Sequence, residues 1–82
     1  MTSEELERLG QQLDQAIADT SNRLLPYFRF RHLPPKLQYT SAGFAELALR
    51  IVRNSDMRDG AEQTVALRKV LEGKDAAVRA CL

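Results

Sequence analysis

Leu6, Leu9, Leu13, Ala16, Ile17, Thr20 and Leu24 recur at spacings of three and four. That period lays them along one stripe of a helix, predicted over about residues 3–25. Thr2 followed by Glu5 reads as a capping box at its start. Pro26 disfavours helical geometry at Leu25 and is expected to close the helix. Gln11, Gln12, Asp14, Gln15 and Asp19 make up much of the opposite, solvated face. A connector is expected over residues 26–34, because Pro34-Pro35 cannot lie inside a helix. Pro35 suits the first position of the next helix, where its missing N–H costs nothing. That second helix is predicted over about residues 35–53, with Leu37, Phe44, Leu47, Ala48, Ile51 and Val52 inward and Tyr39, Glu46 and Arg50 more exposed.

The polar stretch NSDMRDG ends the second helix, and Asp59 with Glu62 forms a second capping-box-like pair. A third helix follows over about residues 60–81, its apolar positions supplied by Val65, Leu67, Val70, Leu71 and Val78. Gly73, Ala76, Ala77 and Ala80 form a patch of small residues that lets another helix approach closely. Gly73 in mid-helix costs about 1 kcal/mol relative to alanine, which a packing contact would offset. No strand-like alternation, repeat or low-complexity tract interrupts this pattern. The expected fold is a single all-α domain over residues 1–82, a three-helix protomer with two helices packed as a hairpin and the third laid on them.

Composition narrows the classes. The chain has 82 residues, 44% hydrophobic and 28% charged, which fits a soluble folded domain rather than a disordered or membrane-spanning one. Its lone cysteine, Cys81, excludes an intrachain disulfide, and so small a core is usually completed by oligomerisation. A homo-oligomer is therefore expected. No run is apolar enough for a signal sequence or a membrane anchor, so a cytoplasmic location is expected, with no membrane partner. Net charge is only +1, which argues against duplex nucleic acid and hence against a helix-turn-helix reading of the last two helices. The charge is uneven: residues 1–26 carry −3 and residues 27–82 carry +4, so an anion site belongs to the second part.

Catalysis has little support. His32, the only histidine, has no sequence-adjacent nucleophile, and the chain is expected not to be an enzyme. One Cys and one His far apart lack metal-ligand spacing, and the isolated glycines form no phosphate loop, so neither metal nor cofactor is expected. What remains is YFRFRHLPP over residues 27–35, dense in aromatic and basic side chains. Rings that stack on bases and guanidinium forks that hold phosphates together suit a nucleotide. The alternative is structural: Tyr27, Phe28 and Phe30 cover the end of the helices while Arg29 and Arg31 point to water. Lys36 either joins an anion site at the start of the second helix or is solvated there. Arg50 and Arg53 suit the C-terminal dipole of the second helix. Arg68 and Lys69 suit a solvated face, and Arg79 suits either such a face or an oligomer interface beside the small-residue patch.

Three segments together carry a resemblance: Arg31-His32-Leu33-Pro34-Pro35, Phe44-Ala45-Glu46-Leu47-Ala48 and Glu62-Gln63-Thr64-Val65-Ala66-Leu67. Over roughly residues 28–80 the chain resembles the small bacteriophage anti-CBASS proteins, which are cyclic-nucleotide sponges. The resemblance implies a homohexamer that sequesters cyclic di- and trinucleotides without cleaving them, so that the host's defence effector stays off. His32 and Pro34 match the family's His-x-Pro, and Arg79 matches its C-terminal arginine that contacts cyclic trinucleotides. The family's stacking tyrosine is Arg31 here, with Phe30 one position back as a substitute; its lysine falls near Gly43, with Lys36 the nearest base. The expected ligand-binding set is therefore Phe30, Arg31, His32, Pro34, Lys36 and Arg79. The competing expectation is a helical phage protein-interaction or structural module with no small-molecule ligand.

Overall fold

A computed structural model describes residues 1–82 as three α-helices and one turn of 3-10 helix, with no strand. Helix α1 spans Ser3–Thr20, the 3-10 turn Leu25–Phe28, α2 Pro35–Val52 and α3 Gly60–Ala80. The Thr2 capping box forms in both directions. The Thr2 N–H donates to the Glu5 carboxylate at 2.9 Å, and the Glu5 N–H donates to the Thr2 hydroxyl at 3.1 Å. The first of these bonds, to the carboxylate, holds Glu5 below the usual carboxylate range.

α1 stops at Thr20, short of its expected end at Leu25, and Pro26 does not end it. Ser21 takes the left-handed backbone conformation (φ 56°, ψ 17°), and the Asn22 side-chain oxygen accepts from the Leu24 N–H at 2.9 Å. Short polar side chains compete in this way for backbone groups that a helix needs. Pro26 lies instead in the opening positions of the 3-10 turn, where an N–H is not required. The connector thus carries a helical turn of its own, whose Leu25 and Phe28 are fully buried.

α2 lies between the other two helices: no Cα of α1 comes within 8 Å of one in α3. Serving two neighbours makes its buried face broad and its central residues small. Ser41, Ala42, Ala45 and Ala48 are fully buried, with Leu49 and Ile51 nearly so. Leu47, expected inside, is 44% exposed because it points away from both neighbours. Val65 on α3 is likewise 39% exposed rather than packed. α2 and α3 run in opposite directions, as three contacts show. Cys81 Sγ lies 3.3 Å from Thr40 Oγ1, Phe44 faces Gly73, and the Gln63 side-chain amide donates to the Ile51 carbonyl at 3.1 Å. A Cβ on Gly73 would sit 3.4 Å from the Phe44 ring, so the first member of the small-residue patch seats a side chain of the same protomer.

Leu6, Leu9, Leu13 and Ala16 of α1 meet Phe28 and Phe30 of the connector, the alanine face of α2 and Leu67 of α3 in one core. Burying each large side chain contributes about 1.5–3 kcal/mol. Asp59 caps α3 by accepting from the N–H groups of Ala61 (3.0 Å) and Glu62 (3.2 Å).

Candidate anion-binding site

Residues 28–31 alternate in burial: Phe28 and Phe30 are inside, Arg29 and Arg31 outside. Arg29 leaves the 3-10 turn with polyproline-like backbone (φ −59°, ψ 139°), and its side chain projects outward between the two buried rings. Both arginines share one side, and that side looks onto α1. Arg31 Nη1 donates to Glu7 Oε1 at 2.7 Å, and Nη2 donates to Asp14 Oδ2. The other oxygen of Asp14 lies 3.4 Å from Arg29 Nε. Glu7 and Asp14 are two turns apart on one face of α1, with Gly10 between them. A Cβ at residue 10 would overlap Arg31 Cδ and Nε, so only glycine lets this side chain lie across the helix. Gln38 completes the attachment by donating to the carbonyls of Leu33 (2.7 Å) and Arg31 (3.3 Å).

Beyond this clasp the connector faces α3 across a groove of about 380 Å³. Tyr27, Arg29 and His32 line it from the connector, and Lys74, Asp75 and Arg79 from the last turns of α3. The Lys74 ammonium donates to the Tyr27 carbonyl at 2.9 Å and lies 3.3 Å from Asp75 Oδ1. It is the least exposed charge of the group, with 15% of its side chain accessible. Arg29, Lys74 and Arg79 outnumber the single acid, and the Tyr27 ring is 64% exposed beside them. Guanidinium forks and an ammonium next to an accessible ring hold an anion that carries a flat group.

Of the six expected ligand-binding residues, His32 and Arg79 meet in this groove. Phe30 does not: its ring is 1% exposed, part of the core, and offers no face for stacking. Arg31 is committed to Glu7 and Asp14, on the side away from α3. Pro34 is the residue before α2, where its carbonyl accepts from the N–H groups of Leu37 (2.9 Å) and Gln38 (3.0 Å). Lys36 is exposed in the first turn of α2, and neither it nor Pro34 lines the groove. Tyr27, Arg29 and Lys74 line the groove beside His32 and Arg79. The sequence reading missed Lys74; the signal that could have found it is that Lys74 and Asp75 lie four residues before Val78 and Arg79, which puts these pairs on adjacent tracks of α3.

A second groove of about 420 Å³ lies between α1 and α2, with Arg8, Arg50 and Arg53 around Leu9 and Leu49. Glu5 and Glu46 line it as well, and Arg50 pairs with Glu46 at 3.2 Å. Arg53 donates to the Gln12 carbonyl at 3.4 Å, reaching across to α1. Its rim is cationic too, with Arg50 alone of the three arginines in an ion pair; it differs from the α3 groove in having no aromatic ring and none of the six expected residues. No helix is long and apolar enough to cross a membrane. No family model, curated protein or solved structure matches the chain.

Proposed function

We propose that this chain is a non-enzymatic binder that sequesters cyclic di- or trinucleotides in the bacterial cytoplasm and so blocks a nucleotide-signalled anti-phage defence. It does so as a homo-oligomer, a homohexamer by resemblance, built on the antiparallel α2 and α3. The observation that carries this reading is the meeting of His32 and Arg79, far apart in sequence, in one groove with Arg29, Lys74 and an accessible Tyr27. Arg79, Lys74 and Arg29 neutralise phosphates, while His32 and Tyr27 stack on or hydrogen-bond bases. The anti-CBASS-like segments supply the ligand class.

Calorimetric titration with a panel of cyclic di- and trinucleotides tests it, alongside light scattering for mass and chromatography of the recovered ligand. Saturable binding, ligand recovered intact, and loss of binding in His32→Ala and Arg79→Ala support the sponge. No heat with any of the panel from the folded protein sinks it. A second reading, a protein-interaction or structural module, is favoured by Leu47 and Val65, two large apolar side chains left at the surface.

A further inference from the structure

Asp14 accepts Arg31 on one oxygen and faces Arg29 on the other, the bridging arrangement that a phosphate makes between two guanidinium groups. The two arginines are held very differently. Arg31 has a second acid in Glu7, lies in the seat that Gly10 leaves open, and has its carbonyl fixed by Gln38. Arg29 has Asp14 alone, at 3.4 Å, with 53% of its side chain exposed, and it also lines the α3 groove. An exposed ion pair at that separation is easily exchanged for a doubly charged anion.

We propose that α1 carries a resident anion that sets the specificity of the groove: Asp14 competes with the ligand for Arg29, whereas Arg31 stays locked and unavailable. The groove accordingly selects ligands that bring more than one phosphate charge to Arg29, Lys74 and Arg79 together, because a single phosphodiester carries no more charge than the carboxylate it displaces. Asp14 is the specificity-determining residue although it touches no ligand in the groove. This inference rests on the anion-binding reading of the groove but not on the ligand being cyclic.

The test is titration of the full chain with inorganic pyrophosphate and, in parallel, with the cyclic trinucleotide panel, following the Nε–Hε signals of Arg29, Arg31 and Arg79 by NMR. In the native protein the Arg29 and Arg79 signals move with saturation while that of Arg31 stays. Asp14→Asn tightens pyrophosphate binding by about three- to tenfold, the effect of removing one competing exposed pair. Asp19→Asn makes the same change in net charge elsewhere on α1 and leaves the affinity as it was. Circular dichroism checks that both variants keep their helices. Equal gains in the two variants, no gain in Asp14→Asn, or an Arg31 signal that moves with Arg29 in the native protein would each overturn the proposal. Pyrophosphate responding as described while no cyclic nucleotide binds would overturn the sponge reading and leave this one standing. Silence of both Arg29 and Arg79 towards pyrophosphate would overturn this proposal, and silence towards every cyclic nucleotide as well would overturn both.

Discussion

The two sides of the connector use the same residue types to opposite ends. Towards α1, arginine meets carboxylate: Arg31 lies between Glu7 and Asp14, and its charge is spent on holding the connector to the helix. Towards α3, arginine and lysine gather around a single acid, and Arg79 is left to solvent. Residue type and sequence proximity do not separate these roles, since Arg31 and His32 are neighbours in the chain. What separates them is the acidic face of α1, which neutralises one side and leaves the other charged.

The largest effect expected of any single change on either side is that of Phe30→Ala. Truncating this buried ring should cost about 3–5 kcal/mol, read from chemical denaturation. An unchanged denaturation midpoint with lost ligand affinity would instead mark Phe30 as a stacking residue and collapse the distinction. Arg79→Ala comes next and acts in the other direction. Ligand affinity should fall about tenfold, the loss of one charge-assisted contact, while the melting temperature holds because the side chain is exposed. Arg31→Ala is its mirror image: stability drops by about 1 kcal/mol through lost packing and two half-exposed ion pairs, and affinity falls only through the firmer hold of the freed Asp14 on Arg29, by less than in Arg79→Ala.

Gly10→Ala sharpens the same contrast with a smaller change. The alanine adds about 1 kcal/mol of helix propensity and displaces Arg31 from its seat, so the net stability change should stay within about 1 kcal/mol. The diagnostic is the Arg31 Nε–Hε signal, which should narrow and shift as the side chain is released. Smallest of all is the effect of acid on the start of α1. The folded Glu5 pKa lies below its unfolded value, because the Thr2 N–H donates to the ionised carboxylate. The capping contribution is therefore complete above the ordinary carboxylate range and is lost as pH falls through the lowered value. Carbon-13 titration of the Glu5 carboxyl should give a midpoint below the ordinary glutamate value; a midpoint at that value would remove the box from solution.

The helices were largely legible because their signals are local. Apolar spacing, the Thr2 and Asp59 caps, Pro35 and the polar stretch after Arg53 mark five of the six helix ends to within one residue. The C-terminus of α1 was missed because Thr20-Ser21-Asn22 ends a helix through backbone competition, a weaker mark than the proline that follows. Burial on α2 was harder to read than on α1. An amphipathic stripe names one buried face, and α2 has two neighbours, so its alanines went inside and Leu47 did not. The groove was legible only in part. His32 stood out as the only histidine in the basic and aromatic connector and Arg79 entered through the resemblance, but nothing in the order of residues says that Arg31 would be claimed by Glu7 and Asp14, or that Lys74 would lie beside Tyr27.

The alternation of Phe28, Arg29, Phe30 and Arg31 also fixes how the chain can change length. The two rings are fixed in the core and the two guanidinium groups against Asp14, so inserting or deleting one residue between Phe28 and His32 would break at least one of these attachments. The polar stretch of residues 53–59 between α2 and α3 holds no buried side chain and imposes no such constraint. Length variation among sequences built on this plan should therefore collect between α2 and α3, while the connector changes by substitution alone.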